Sequence, residues 1–159
     1  MIAHRKLGVL VLIGTTAILQ GCSTMATGPQ FAVSASPPEG KAEIYVFRPD
    51  QEYAKAAAPD LTVDGAKVGT IQNDGYMMLN VEPGQHTIDI PYNFWTWGDH
   101  CAPAVVQTKA GEIHYVQIEL SSKSTFLVLF TEVESHCALK EVTPDVALPL
   151  IKQTRLSQQ

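Results

Sequence analysis

Positive charge is scarce in this sequence. Its 11 lysines and arginines stand against 16 aspartates and glutamates, which gives a formal net charge of −5 at pH 7. An acidic protein repels phosphate backbones, so we do not expect nucleic acid among its partners.

The motifs of the common enzyme classes are also missing. The sequence contains no G-x-S-x-G, no H-E-x-x-H, no Walker loop and no Rossmann fingerprint. His86 and His114 stand beside predicted turns, where histidines are more often hydrogen-bonded rim residues than catalytic bases. Glu132 and Glu134 share one strand face, a pattern typical of solvated strand edges. We therefore expect a non-catalytic protein without a metal or other cofactor.

Long apolar runs are limited to the N-terminal region. Residues 7–19 are largely apolar and follow Arg5 and Lys6. The run is shorter than the roughly 20 apolar residues that a spanning helix requires, and its basic flank is typical of a secretory signal. We predict that residues 1–21 are a cleaved signal peptide.

The predicted signal ends in Leu-Gln-Gly-Cys at residues 19–22, which resembles the lipobox of bacterial lipoproteins. The resemblance implies that Cys22 becomes the mature N-terminus and carries fatty acyl chains such as palmitate. Two or more such chains hold a protein on a membrane that it does not span. Ser23 stands where an aspartate would favour inner-membrane retention, so the resemblance implies the periplasmic face of the outer membrane. The alternative is an ordinary signal that leaves Cys22 as a thiol.

Residues 22–40 are mostly small and polar and include three prolines. Such a composition is typical of flexible segments, so we predict a tether between the anchor and the folded domain. Phe31 and Val33 are large apolar residues within it. They are either incidental or pair onto the edge of a sheet.

Residues 61–90 carry the clearest strand pattern. Three turn signals divide this stretch: Asp64-Gly65, Asn73-Asp74-Gly75 and Glu82-Pro83-Gly84. Between the turns apolar residues alternate, as Met77, Leu79 and Val81 do. The pattern predicts a meander of antiparallel strands.

Two other segments are apolar on both faces. They are Lys41–Arg48 and Phe126–Phe130, and a turn is predicted at Ser121–Ser124 before the second. Strands of this kind suit central positions in a sheet that is covered on both sides.

These patterns together predict an all-β fold, an antiparallel β-sandwich of Ig-like or PEGA-like type. It would hold about seven to nine short strands within residues 41–142. In the tail, residues 143–159, Thr143 and Pro144 are typical of a helix start, and Pro149 indicates a short helix. This C-terminal helix is the predicted cover for the second apolar face.

Four segments of residues 40–142 resemble a family of small bacterial lipoproteins known only as a domain of unknown function. They are KAEIYVFRP, TVDGAKVGTIQNDGY, NVEPGQHTI and AGEIHYVQIEL. The third is also similar to PEGA-type β domains. The resemblance implies a compact β-sandwich without an assigned activity, because its motifs are turns and strand starts.

Cys101 and Cys137 remain once Cys22 is lipidated, and histidines 100 and 136 precede them. Two His-Cys pairs are compatible with a zinc site, because two cysteines and two histidines are a common tetrahedral ligand set. Adjacent residues of a strand point to opposite faces, however, and the periplasm oxidises paired thiols. We therefore predict a Cys101–Cys137 disulfide, with a metal site or free thiols as alternatives.

Residues 92–104 form a predicted loop that holds both tryptophans. Its candidate binding residues are Tyr92, Phe94, Trp95, Trp97, Asp99 and His100. Aromatic residues of this kind either plug the end of a sandwich or form an exposed platform for a protein or a sugar ring.

The sequence thus predicts a membrane-anchored lipoprotein whose β-sandwich binds another cell-envelope component, a protein before a glycan. The alternative is a receptor for a small ligand or a peptidoglycan fragment at Trp95 and Trp97. An enzyme is the least favoured class, and a purely structural role stays open.

Overall fold

The computed structural model describes residues 25–92, 101–126 and 131–158. In chain order its elements are β1 (Ala42–Arg48), β2 (Asp60–Val63), β3 (Ala66–Thr70), β4 (Gly75–Val81), β5 (Gly84–Asp89), β6 (Cys101–Ala102), β7 (Ala104–Thr108), β8 (Ile113–Phe126), β9 (Thr131–Val142), α1 (Pro144–Ile151) and β10 (Arg155–Leu156).

The strands form two sheets. Sheet A has the order β10-β4-β1-β8-β9-β6, and sheet B has the order β3-β2-β5-β7. Of the eight neighbouring pairs among the described strands, five are antiparallel, and the pairs β1–β8, β4–β10 and β6–β9 are parallel. One apolar core joins the two sheets, with Val46 and Met77 from sheet A and Leu61 and Ile88 from sheet B all fully buried. The predicted all-β sandwich with a short C-terminal helix is confirmed.

The turns of residues 61–90 connect the strands differently from the predicted meander. Asp64 and Gly65 both have positive φ, 50° and 81°, and close the β2–β3 hairpin as predicted. The next two turns instead carry the chain from β3 in sheet B to β4 in sheet A, and back to β5. The meander prediction was wrong because a turn signal marks a reversal and does not specify which sheet the next strand joins.

Strand β1 is buried along its whole length, as the prediction of a strand covered on both sides requires. Its alternate residues Tyr45 and Phe47 point away from the core between the sheets and belong to a second apolar cluster. Tyr76 and Tyr115 from the neighbouring strands join them, and α1 packs on this cluster with Ala147 and Ile151. The predicted helical cover is therefore present.

Phe31 completes this second cluster. It is only 7% exposed, and its ring meets those of Tyr45 and Tyr76 edge-on at centroid distances of 5.2 and 5.3 Å. The Tyr45 hydroxyl donates to Glu43 at 3.0 Å and accepts from the backbone N–H of Ser34 at 3.3 Å. Burial, followed by the Glu43 hydrogen bond, raises the pKa of Tyr45 to about 12, so the phenol stays neutral.

Residues 25–31 are packed against sheet A, which differs from the flexible tether predicted for residues 22–40. The backbone N–H groups of Ala26, Gly28 and Phe31 donate to carbonyls of Asn73, Leu156 and Thr154, each at 3.1 Å. A side chain at Gly28 would place a Cβ 2.5 Å from the Leu156 oxygen, so glycine permits this close approach. The tether was predicted from composition, which does not show that this segment has hydrogen-bond partners remote in the sequence.

The β8–β9 hairpin is longer than predicted. Its pairing is unbroken from Tyr115↔Val142 to Phe126↔Thr131, so the predicted turn at Ser121–Ser124 is wrong. Phe126 is the last residue of β8 and is 88% exposed, which contradicts a central strand beginning there. Residues 127–130 of that predicted strand lie outside the described residues. Serines are common in turns, but they are equally suited to a two-stranded ribbon that is open to water on both faces.

We expect Phe31→Ala to lower the free energy of unfolding by about 3 kcal/mol, because it removes a buried ring and leaves a cavity among tyrosines. Urea unfolding of the protein measures this loss. Val33→Ala is the matched control, since Val33 is 50% exposed and should change stability little. Equal effects of the two substitutions would mean that residues 25–31 do not stabilise the domain.

Candidate binding surfaces

A disulfide joins the short strand β6 to β9. Cys101 and Cys137 face each other in the parallel β6–β9 pair, with a Cα–Cα distance of 4.4 Å, and both are buried. The predicted bridge is thus present. Over the described ranges 25–92, 101–126 and 131–158, no group of three or more His, Cys, Asp and Glu side chains could hold a metal ion.

Most of the predicted aromatic binding loop lies outside the described residues. This applies to Phe94, Trp95, Trp97, Asp99 and His100, and also to the predicted lipidation site Cys22. Tyr92 is described at the start of the loop and is 48% exposed. The loop leaves sheet B after β5 and joins sheet A at Cys101, where the disulfide fixes the chain. Whether the loop is a platform or a plug stays a prediction.

His86 links two turns on the rim of sheet B. Its Nδ1 lies 2.8 Å from an Asp64 carboxylate oxygen and its Nε2 lies 2.7 Å from the Glu82 carbonyl oxygen. Burial lowers the pKa of His86, but the hydrogen bonds to Asp64 and Glu82 outweigh it and raise the pKa overall. Both ring nitrogens are therefore used to hold the turns together.

His114 is held in a similar way on sheet A. Its two ring nitrogens lie 2.6 Å from Glu141 and 3.2 Å from Glu112. Both histidines therefore occupy hydrogen-bonded rim positions of the kind expected from the sequence.

An apolar groove of about 250 Å³ opens where β3 and β4 border the sandwich. Its lining residues are Val63, Val68, Met78, Leu79, Asn80 and Val81. Met78 is 37% exposed, which makes it the most accessible apolar side chain of this groove. The groove has no signal in the sequence, because it depends on which strands lie at the sheet edges.

Among the described residues, the outer edge of β4 beside the groove is unpaired over most of its length. Strand β10 pairs only with Gly75 and Tyr76, and the Tyr76 carbonyl accepts from the Ser157 N–H at 2.8 Å. Backbone groups alternate sides along a strand, so those of Met78 and Asn80 point to the same outer side as those of Tyr76. Within the described part of the chain, no strand pairs with β4 beyond Tyr76.

A second exposed element is the end of the β8–β9 hairpin, which we call the arm and define as Ser121–Phe126 with Thr131–His136. The side chains of residues 121–126 and 134–136 are all exposed. Those of residues 131–133 are not described. β1 pairs with β8 no further than Gln117, and β6 pairs with β9 only at Cys137 and Ala138. The arm therefore extends past the sandwich as a two-stranded ribbon whose base carries the disulfide.

Residues 38–128 match the family described as Protein of unknown function (DUF2846). The match covers more than half of the chain, so this protein belongs to that family. No curated protein and no solved structure matches the chain. No described helix is both long and apolar enough to cross a membrane.

We expect that removing the disulfide with the pair Cys101→Ser and Cys137→Ser lowers the free energy of unfolding by about 3.8 kcal/mol. The reason is that a bridge closing a loop of about 37 residues restricts the unfolded chain. Urea unfolding with and without reductant measures the effect, and reductant should not change the double variant further. No two-hydrogen mass gain when the denatured wild type is reduced would contradict the bridge.

Proposed function

We propose that this member of the family is a lipid-anchored, non-catalytic module of the bacterial cell envelope that binds an extended segment of another envelope protein. The binding place is the groove between β3 and β4. The observation that carries the proposal is the open outer edge of β4 lying directly beside an apolar groove.

Two kinds of contact are available to an extended segment at this edge. The outward backbone groups of Met78 and Asn80 can form strand-to-strand hydrogen bonds, which supply affinity irrespective of side chains. Alternate side chains of the segment would then enter the groove beside Val63, Val68 and Met78, which supplies selectivity. Methionine is flexible and adapts to differently shaped partners.

The anchor is proposed from the sequence before the sandwich. Arg5, Lys6, the apolar run and the lipobox-like ending at Cys22 support acylation and export, and Ser23 supports the outer membrane. Only Ser23 and Thr24 separate Cys22 from Met25, the first described residue of the packed segment. The three Cα–Cα steps from Cys22 to Met25 span at most about 11 Å. An acylated Cys22 would therefore keep the sandwich close to the membrane surface.

Photo-crosslinking in living cells tests the groove. A photoreactive residue at Met78 is expected to give a discrete adduct with an envelope protein, identified by mass spectrometry. The matched control is Val105, which is apolar and 55% exposed but lies on β7, at the opposite edge of sheet B.

Asn80→Pro tests whether the partner pairs with the edge of β4. Proline removes the outward N–H of Asn80 and obstructs pairing there, while the bonds from β4 to β1 use the other side of the strand. We expect the Met78 adduct to disappear with the fold intact. No adduct at Met78, or equal adducts at Met78 and Val105, would contradict the proposed binding place.

A glycan receptor is the second candidate, favoured by the exposed Tyr92 and by the disulfide at the far end of the aromatic loop. Both tryptophans of the chain, Trp95 and Trp97, lie in this loop. Tryptophan emission therefore reports on the loop alone. We expect a shift on addition of peptidoglycan fragments if this candidate is right, and no response across a panel of fragments would count against it.

A further inference from the structure

We propose that His86 is a proton-controlled clasp at one end of the β3–β4 groove, which holds the groove in its binding shape only while both ring nitrogens carry a proton. The inference rests on the proposed function, because it concerns the regulation of that same site. Two observations support it: the two acceptors that the imidazole ring contacts, and the position of those acceptors next to residues that line the groove.

The imidazole ring of His86 contacts two hydrogen-bond acceptors. Nδ1 lies 2.8 Å from an oxygen of the Asp64 carboxylate, and Nε2 lies 2.7 Å from the backbone carbonyl oxygen of Glu82. A carbonyl oxygen and an ionised carboxylate can only accept, so each contact requires a proton on the ring nitrogen. A neutral imidazole carries one such proton, and an imidazolium carries two. The geometry therefore corresponds to the imidazolium form of His86.

The charges at the contact favour this form. Hydrogen bonds from His86 and from the backbone N–H of Thr87 lower the pKa of Asp64, so its carboxylate is ionised at neutral pH. Burial lowers the pKa of His86, but the contacts with Asp64 and Glu82 outweigh it and raise the pKa above its ordinary value of 6.5. The ion pair and the carbonyl contact thus support each other.

The other elements around the ring add little charge to this contact. The carboxylate of Glu82 forms an ion pair with Lys41. Strand β7 contributes Val106, which lies opposite His86, and Thr108, whose hydroxyl donates to the Glu82 carbonyl oxygen at 3.1 Å. Both side chains from β7 are uncharged, so the carboxylate of the β2–β3 turn supplies the charge that stabilises the imidazolium.

The two acceptors lie beside the walls of the groove. Asp64 follows Val63 at the end of β2, and Glu82 follows Val81 at the end of β4. Val63 and Val81 both line the groove. Because β2 belongs to sheet B and β4 to sheet A, His86 joins the two sides of the groove at the end where these strands finish.

Loss of one proton from the ring to water releases one of the two contacts. The carboxylate is the stronger acceptor because it is charged, so the remaining proton stays on Nδ1, facing Asp64. Nε2 then turns a lone pair toward the Glu82 carbonyl oxygen at 2.7 Å, and two acceptors at this distance repel each other. Asp64 keeps its backbone and side-chain hydrogen bonds with Thr87, at 2.9 and 2.8 Å. The turn at Glu82 is therefore the part that moves, and Val81 moves with it.

Rising pH weakens the clasp. Because the pKa of His86 is higher in the folded protein than in the unfolded chain, the clasp is complete below about pH 6.5 and is lost as the pH rises through the folded pKa. While the clasp is closed, the walls of the groove are preformed, which reduces the ordering that binding requires. We expect affinity for an extended segment to fall with rising pH by up to about tenfold, the effect of one hydrogen bond.

NMR of the imidazole nitrogens tests the clasp without any partner. The full chain, with isotope-labelled histidine nitrogens, is titrated from about pH 5 to about pH 9, and the signal missing from His86→Gln identifies His86. We expect a midpoint above 6.5, two protonated nitrogens below it and the Nδ1–H form above it. The Val81 amide should shift with the same midpoint, and the Val63 amide much less. A midpoint at or below 6.5, or a Val81 amide that does not follow His86, would overturn the proposal.

Urea unfolding separates loss of the clasp from a general defect of the variant. His86→Gln should match the wild type at the alkaline end of the titration, where the wild-type clasp is open, and should be less stable than the wild type at the acidic end. A stability difference that is the same at every pH would contradict a proton-controlled contact.

Photo-crosslinking at Met78 tests the effect on the groove. Isolated cell envelopes that carry the photoreactive residue are irradiated over the same pH range, and the adduct yield should fall with the midpoint of His86. His86→Gln should give a low yield at every pH. His114→Gln is the matched control, because His114 also lies between two acceptors, Glu112 and Glu141, but does not line the groove. It should keep the pH dependence of the wild type.

The two experiments distinguish failure of the clasp from failure of the binding place. An adduct yield that does not change with pH, while His86 titrates as expected, would overturn the regulation and support the binding place. No adduct at any pH would overturn the binding place and its regulation together, whatever the NMR titration shows.

Discussion

The structure depends on covering sheet A on its second face. Strand β1 presents Ile44 and Val46 to the core between the sheets, and Tyr45 and Phe47 to the opposite side. Sheet B covers only the first set. The second set is buried by α1 and by Phe31, so two segments from opposite ends of the chain are ordered by one apolar surface. Without that surface, residues 25–31 and 144–151 would lack the apolar contacts that hold them on sheet A.

Ordering of residues 25–31 also limits the distance between the domain and the anchor proposed at Cys22. The segment arrives at the end of sheet A where β4 begins and from which the arm projects. The disulfide lies at the base of the arm and holds β6 beside β9, so this end of the sandwich is cross-linked. The open edge of β4 runs along the side of the sandwich instead.

Sequence patterns correctly predicted the features that depend on neighbouring residues, such as turns, the helix start and strand alternation. Asp64 and Gly65 take positive φ in a two-residue hairpin, and Thr143 with Pro144 begins the helix. The alternation of Met77, Leu79 and Val81 correctly places these side chains in the core.

Sequence patterns gave wrong or no predictions at positions whose structure depends on contacts with segments remote in the chain. Phe31 has no periodic signal around it, and its burial follows from Tyr45 and Tyr76, which are remote in sequence. Ser121–Ser124 is typical of a turn until its pairing with β9 is known. The groove at Met78 was missed for the same reason, since an open strand edge is a property of the assembled sheet. The bridge between Cys101 and Cys137 was predicted from the cysteine count and from the expected export of the chain.

Hydrogen exchange at the amides of Ala26, Gly28 and Phe31 tests the central claim that the segment next to Cys22 is part of the folded domain. Each amide donates to a carbonyl of the sandwich or its C-terminal tail. The account predicts that these three amides are protected comparably to amides of β1. Exchange at the rate of an unstructured peptide would contradict it. The segment would then be the flexible tether that its composition suggests.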